Sequence, residues 1–176
     1  MLDPSSLLPL EDLVPEIAGG IQAFLSKHRT PFLVLEKVEA AEKARGSTKI
    51  QDATTMRTGK SREARMVAPI AKRLGSAPYE NLVTIGRAET NDIFIGAGTI
   101  SKLHAYFVEE PKGCFGLVDA GSSNGTFVRG QKLPRKGAPV VLDDGDVVRL
   151  GPVFYGVFMK PETFAKLLDQ LARAAT

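Results

Sequence analysis

Short clusters of apolar residues alternate with turn residues from Met66 onward. Clear turn chemistry, as at Pro111-Lys112-Gly113 and Asp143-Asp144-Gly145-Asp146, separates several of these clusters. The pattern predicts strands at residues 66–72, 82–86, 93–95, 103–109, 114–119, 126–129, 139–142, 146–150 and 153–159. Many short strands without helices between them are typical of an all-β protein, so we predict an antiparallel β-sandwich.

The first thirty residues carry an apolar pattern with helical spacing. It is formed by Leu13, Val14, Ile17, Ile21, Phe24 and Leu25. Asp12 is the predicted N-cap and Pro15 lies in the first turn, while Gly19 and Gly20 weaken the middle of the pattern. We therefore predict an N-terminal helical segment at residues 1–30, followed by a strand at 32–38.

The end of the chain carries a second helical pattern. Phe164, Leu167, Leu168 and Leu171 follow the i, i+3, i+4, i+7 spacing, and Pro161 stands in the first turn. We predict an amphipathic C-terminal helix at residues 161–176. The sandwich is then predicted to occupy residues 31–160.

Residues 39–65 show no usable periodicity, and we interpret them as a basic, Ser/Thr-rich insertion into the sandwich. Three interpretations of this insertion stay open. It is a solvated loop, a docking or nucleic-acid patch at 43–65, or a regulatory segment at 47–61. In the third case a phosphorylated residue of the segment docks into this chain or a neighbouring copy. The lack of interleaved aromatic residues argues against nucleic acid.

The composition is ordinary for a soluble globular protein. Of the 176 residues 43% are hydrophobic and 24% are charged, and the formal net charge is +3. We find neither an apolar run long enough to span a membrane nor a signal-peptide pattern, so we expect a cytoplasmic protein. Two histidines and one cysteine, Cys114, offer no metal-ligand cluster, and no metal or cofactor is predicted.

Polar residues on three strand-joining loops together suit a phosphate group. Arg87 lies on the first loop, Ser101 on the second, and Ser123 and Asn124 on the third. Loops that meet at one end of a sandwich would bring together a guanidinium, two hydroxyls, a carboxamide and backbone N–H groups. Charge-assisted hydrogen bonds from such groups are the strong ones for a phosphate dianion.

A nucleophile-elbow pattern is formally present at Gly121-Ser122-Ser123-Asn124-Gly125, but its surroundings argue against a serine hydrolase. That motif requires a helix directly after it and a histidine later in the chain. Here a predicted strand follows, and both His28 and His104 precede the motif. We predict that the chain is not an enzyme and has no catalytic residue.

In their order and spacing, these loops resemble the forkhead-associated (FHA) domain family. The matching residues are Gly86-Arg87, Ser101-x-x-His104, Ser123-Asn124-Gly125-Thr126-Phe127-Val128 and Leu142-Asp143-Asp144-Gly145-Asp146-x-x-x-Leu150-Gly151. The resemblance spans roughly residues 80–158. It implies a sandwich of about eleven strands that binds phosphothreonine peptides through the loops at one end.

The resemblance also assigns roles to individual residues. Arg87 and Ser101 are expected to contact the phosphate, Ser123 also to reach it, and Asn124 to hold the peptide backbone. Lys102 is expected to add positive charge beside the phosphate.

Further residues carry supporting roles by the same resemblance. Thr99 lies where family members read the third residue after the phosphothreonine. Gly86, His104 and Gly125 are expected to hold the loops in shape.

The resemblance implies a bacterial signalling protein with a single such domain. Its partner would be a phosphothreonine-containing protein, such as a Ser/Thr kinase or the substrate of one. One departure is Arg129-Gly130, where the family usually has Asn-Gly, so the turn there is expected to be altered without loss of phosphate contacts. Two alternatives stay open: a phosphate-independent assembly module, and nucleic-acid contact through residues 43–65.

Overall fold

The computed structural model describes residues 7–38, 65–73, 79, 81–110 and 113–175. In this part of the chain, twelve strands form two sheets. The strands are β1 (Leu8–Pro9), β2 (Phe32–Lys37), β3 (Met66–Pro69), β4 (Leu82–Gly86), β5 (Ile93–Phe94), β6 (Ala105–Glu110), β7 (Cys114–Asp119), β8 (Thr126–Val128), β9 (Gln131–Lys132), β10 (Val140–Leu142), β11 (Val147–Leu150) and β12 (Phe154–Met159). The larger sheet has the order β1-β3-β2-β12-β11-β8-β9, and the smaller sheet has the order β10-β7-β6-β4-β5.

The two sheets pack face to face around one apolar core. In β6, burial alternates along the strand, and Ala105 and Phe107 point into this core. Ile85 and Leu117 join them from the smaller sheet, and Val148 faces them from the larger one. The predicted β-sandwich is therefore confirmed.

Strand β2 is buried on both faces, which explains its continuous apolar sequence. Leu33 and Leu35 point into the core between the sheets. Phe32 and Val34 point the other way, into a second apolar cluster on the outer face of the larger sheet. A strand that is covered on both sides needs no polar positions in its interior.

A layer of helices covers this outer face. It consists of a 3₁₀ helix (Leu10–Ile17), α1 (Ile21–Lys27) and α2 (Pro161–Ala174). Phe24 and Phe164 pack on Phe32, and the Phe32 and Phe164 rings stack with their centroids 4.2 Å apart. Full burial of an aromatic side chain of this kind stabilises the fold by about 1.5–3 kcal/mol. Both ends of the described chain are thereby fixed to the sandwich, and the predicted C-terminal helix is confirmed.

Several predicted details differ from the structure. The predicted N-terminal helix is two helices, because Gly20 adopts φ 84 between them, and Pro9 rather than Asp12 precedes the first of them. Strands β1 and β9 were not predicted. Strand β3 ends at Pro69, and β5 pairs with β4 in parallel, in contrast to the antiparallel pairing of the other strands.

Two sequence predictions remain, one on the insertion and one on membrane-spanning segments. Residues 39–64 of the predicted insertion lie outside the described residues. Within the described residues, no helix combines the length and the apolar character needed to cross a membrane.

Candidate ligand-binding site

The loop after β4 holds Arg87 against the loop that precedes β6. The backbone N–H of Arg87 donates to the Ser101 carbonyl at 2.9 Å, and its Nε donates to the Ile100 carbonyl at 3.1 Å. The Nη groups of Arg87 have no hydrogen-bond or ion-pair partner among the residues that the structure describes. The guanidinium is therefore fixed at its inner nitrogen, and its outer face is left for a ligand.

Close packing at Gly86 brings these two loops together. A methyl group on Gly86 would lie 2.3 Å from the carbonyl oxygen of Lys102, so a side chain does not fit there. The Asn91 amide donates to that same carbonyl and to the Ala88 carbonyl, both at 2.7 Å. Asn91 is almost fully buried, so its amide fixes the spacing between the two loops.

His104 lies beneath the site with both ring nitrogens engaged. The Ser101 backbone N–H is 3.2 Å from Nδ1, and Nε2 lies 3.2 Å from the Gly125 carbonyl oxygen. Because a backbone N–H can only donate, Nδ1 is the acceptor and Nε2 carries the proton. Burial lowers the pKa of His104, against opposing effects of the Gly125 carbonyl and the Asp119 charge. The neutral ring thus links the Ser101 loop to the loop that contains Gly125.

A buried carboxylate shapes the loop between β7 and β8. Asp119 accepts hydrogen bonds from the backbone N–H groups of Gly121 and Ser122 and from the hydroxyls of Ser122 and Thr126, at 2.6–2.9 Å. Burial by itself would raise the pKa of Asp119, but these four hydrogen bonds outweigh it and hold the pKa below its usual value. The Ser122 hydroxyl accepts the N–H of Gly125 at 2.9 Å and so closes the loop.

Ser123 and Asn124 lie at the exposed tip of this loop and contact the neighbouring loop directly. The N–H of Ser123 donates to the Ser101 hydroxyl oxygen at 3.0 Å. The side-chain amide of Asn124 donates to the Thr99 carbonyl at 2.8 Å. The Ser101 hydroxyl therefore keeps its proton for another acceptor, and Asn124 keeps its carboxamide oxygen and one N–H.

These groups surround an open concavity of about 270 Å³. Its lining residues are Arg87, Gly98, Thr99, Ile100, Ser101, Lys102, Ser123 and Asn124. All six residues predicted to bind a peptide are among them, and none of the lining residues is acidic. Chemically, the concavity offers two cationic side chains with hydroxyl, amide and backbone N–H donors, which is a donor set for an anion.

The Thr99 hydroxyl and the three predicted supporting residues do not face the ligand side of the concavity. The Thr99 hydroxyl oxygen is buried and has no hydrogen-bond partner in the described part of the chain, so it is not presented to a ligand in this conformation. Gly86, His104 and Gly125 lie beneath the loops, where the predicted supporting role places them. Gly125 adopts φ 85, a conformation that favours glycine.

Sequence reasoning missed three buried polar residues that hold the site: Asn91, Asp119 and Ser122. The spacing of Asp119 and Ser122 is the signal that could have identified two of them. An Asp followed three residues later by Ser is typical of a turn in which the carboxylate binds nearby N–H groups.

Residues 83–151 match the sequence model of the FHA domain. An oxoglutarate dehydrogenase inhibitor of Corynebacterium diphtheriae is 43% identical over 68 residues, which are 39% of this chain and 44% of the inhibitor. An ABC transporter ATP-binding/permease protein of Mycobacterium tuberculosis is 42% identical over 71 residues, which are 40% of this chain and 8% of that protein. The matched part is thus less than half the length of each of these curated relatives.

Solved structures also match the chain at low identity. The N-terminal FHA domain of S. cerevisiae Rad53p, in complex with a phosphothreonine peptide, has 16% identity and a TM-score of 0.47, over 77% of this chain and 98% of that one. The FHA domain of the CT664 protein from Chlamydia trachomatis has 20% identity and a TM-score of 0.45, over 74% of this chain and 98% of that one.

Proposed function

Residues 83–151 form an FHA domain, and we propose that the chain recognises phosphothreonine in a partner protein. The observation that carries the proposal is the concavity between the Arg87, Ser101 and Ser123 loops. It gathers side chains from three separate loops, presents their unused donors outward and contains no acidic group. A phosphate group carries about −1.5 to −2 charges at neutral pH and has three acceptor oxygens, so it fits this set of donors.

The proposed phosphate contacts follow from the hydrogen bonds that are already made. Arg87 is anchored through Nε, so its Nη groups can bind two phosphate oxygens without a further loss of side-chain freedom. The Ser101 oxygen accepts the Ser123 N–H, so the hydroxyl proton remains available to donate to a phosphate oxygen. Lys102 is exposed beside them and adds a second positive charge.

The proposed contact with the peptide backbone belongs to Asn124. One N–H of its carboxamide holds the Thr99 carbonyl, which fixes the plane of the amide group. The remaining N–H and the oxygen are then available to a C=O and an N–H of an extended peptide. Such a pair of bonds places the peptide chain, while the phosphate supplies most of the attraction.

A binding role without catalysis is part of the same proposal. Both ring nitrogens of His104 are engaged and the ring is fully buried, so it cannot accept a proton from a substrate. Among the described residues, no group of three or more His, Cys, Asp or Glu side chains is arranged to hold a metal ion. We infer that the site serves recognition, and the proposed partner is a protein phosphorylated on threonine by a Ser/Thr kinase.

An oriented phosphothreonine peptide library tests this function. We expect the chain to retain phosphothreonine peptides and to release them after phosphatase treatment. Retention of the same partner after complete dephosphorylation would contradict the proposal and would favour the phosphate-independent assembly module.

A further inference from the structure

A basic segment lies along the outside of the loop that carries Ser123 and Asn124. We name Lys132–Lys136, with the sequence Lys-Leu-Pro-Arg-Lys, the basic strap. The N–H of Leu133 donates to the Thr126 carbonyl at 2.8 Å, and the N–H of Lys136 donates to the Asp119 carbonyl at 2.7 Å. Because the side chain of Leu133 is also buried in the core between the sheets, the strap is fixed at Leu133 and at Lys136.

The strap presents its cations beside the binding loop. Lys132, Arg135 and Lys136 are all exposed, in contrast to Leu133 between them. A methyl group on Gly125 would lie 2.7 Å from Cε and 3.5 Å from Nζ of Lys132. The aliphatic stem of Lys132 therefore crosses directly over Gly125, the residue that follows Asn124.

Lys136 occupies the equivalent place at the other end of the loop. A methyl group on Gly121 would lie 3.3 Å from Cε of Lys136. Lys136 also adopts φ 51, a left-handed backbone conformation that is unfavourable for a non-glycine residue. The two lysines thus bracket the segment between Gly121 and Gly125, which contains Ser123 and Asn124.

The charges of the strap are not neutralised within the described part of the chain. No carboxylate there forms an ion pair with Lys132, Arg135 or Lys136. Two nearby cations behave differently, since Arg129 is paired with Asp146 and Arg149 lies over the Phe127 ring at 3.5 Å from its centroid. Unpaired cations that are held by a fixed backbone beside an anion-binding concavity are suited to a second anionic group.

We propose that the basic strap is a second anionic subsite, which reads a carboxylate or a further phosphate on the same phosphothreonine peptide. This inference rests on the proposed function of the Arg87 site. Because Lys132 and Lys136 lie against the two ends of the loop that carries Ser123 and Asn124, the anion should lie near the phosphothreonine in the peptide sequence. Each exposed ion pair contributes little, but three cations that act together favour an acidic ligand and increase its association rate.

The test compares four peptides by isothermal titration at low and at physiological ionic strength. One peptide carries phosphothreonine with neutral flanks, the second carries phosphothreonine with glutamates, and the third carries phosphothreonine with a nearby phosphoserine. The fourth is the glutamate peptide without phosphate. We expect the second and third peptides to bind wild-type protein about tenfold tighter than the first, with a difference that shrinks as salt rises. The comparison of the second and third identifies which anion the strap prefers.

The test variant combines K132Q, R135Q and K136Q. It should bind the three phosphothreonine peptides alike, at the wild-type affinity for the neutral one. The matched control combines R29Q, K160Q and K166Q, which removes the same charges from exposed residues outside the site and should keep the tenfold preference. The single variants K132Q and K136Q provide a second measurement if the triple variant does not fold.

Three results would overturn the inference. In the first, wild type binds the neutral and the glutamate phosphopeptides with the same affinity. In the second, the control variant loses the preference for acidic peptides as fully as the K132Q/R135Q/K136Q variant does. In the third, wild type binds the glutamate peptide without phosphate as tightly as the phosphorylated glutamate peptide. The last result would make the strap a general surface for polyanions. If wild type does not bind the neutral phosphothreonine peptide at all, the proposed function itself fails, and the inference fails with it.

Discussion

The imidazole of His104 accepts a hydrogen bond from the backbone N–H of Ser101, with 3.2 Å between the two nitrogens. The other ring nitrogen donates to the Gly125 carbonyl, so one buried side chain sets the relative position of two loops of the site. A protonated ring would face the Ser101 N–H with a second N–H. The geometry of the concavity therefore depends on a neutral His104.

The first prediction concerns pH. Because burial lowers the pKa of His104, the unfolded chain takes up this proton before the folded chain as the pH falls below about 6.5. The contribution of the neutral ring to the free energy of unfolding is thus complete above that pH and is lost as the pH falls through the lower pKa of the folded state. Thermal unfolding from about pH 7 to about pH 5 should show this loss, and His104→Gln should flatten it.

The variant His104→Gln also tests whether the ring holds the loops or contacts the ligand. His104→Gln should lower the free energy of unfolding by about 1–3 kcal/mol, since buried partners lose their hydrogen bonds. His28→Gln removes a histidine from the helical layer instead and should leave phosphopeptide affinity unchanged. Unaltered stability and unaltered peptide affinity in His104→Gln would show that the ring does not hold the loops.

The second prediction concerns Gly86. Gly86→Ala would place a methyl group 2.3 Å from the Lys102 carbonyl oxygen, so one of the two loops must move. We expect a loss of more than about 2 kcal/mol in the free energy of unfolding by chemical denaturation, together with weaker phosphopeptide binding. Gly98→Ala is the matched control, because a methyl group there meets no atom within 4 Å, and it should change stability by less than about 0.5 kcal/mol.

The third prediction concerns Asn124. Asn124→Ala should weaken phosphopeptide binding about tenfold or more, because it removes the proposed bonds to the peptide backbone and the bond to Thr99. Its effect on stability should stay small, since the side chain is exposed. Gln131→Ala removes an exposed amide from β9 and should leave affinity unchanged in the same titration. Equal affinities of the two variants would remove Asn124 from the site.

The fourth prediction concerns the helical layer. Phe164 is fully buried between α2 and the larger sheet, so Phe164→Ala should cost about 3–5 kcal/mol of unfolding free energy. The site lies on loops outside this layer, and the fraction of the variant that remains folded should bind the phosphopeptide with wild-type affinity. Denaturation and titration at the same temperature check both statements, and Lys166→Ala is an exposed control on the same helix. A large loss of affinity in folded Phe164→Ala would show that the helices shape the site.

Much of the sandwich could be predicted, because half-buried strands alternate apolar and polar residues and because turn residues mark their ends. Strand β9 could not, since Gln131 and Lys132 are both exposed and the strand exists only through its pairing with β8. The division of the N-terminal segment into two helices could not be predicted either. Their apolar residues do form one face, but the backbone at Gly20 divides the segment.

The candidate site could also be predicted only in part. The ligand-facing residues could be found from the sequence, but not all of the buried residues that hold the loops. Arg87, Ser101 and Asn124 could be proposed from the sequence because their chemical types and spacing along the chain suit a phosphate, and the structure brings them to one concavity. Asn91 could not, since no local pattern shows that this polar side chain will be almost fully buried and hydrogen-bonded to two carbonyls. Its bond to the Lys102 carbonyl, like the bond of His104 to the Gly125 carbonyl, joins separate loops that only the fold brings together.

Phosphothreonine binding at this concavity is best measured by calorimetric titration of a phosphothreonine peptide and its unphosphorylated form into wild type and Arg87→Ala. Arg173→Ala serves as the control for removal of an exposed arginine on α2. We predict that wild type and the control bind only the phosphorylated peptide, and that Arg87→Ala shows no detectable binding while its unfolding curve stays close to that of wild type. Binding of the phosphopeptide by Arg87→Ala as tightly as by wild type would contradict the assignment of this concavity as the phosphothreonine site.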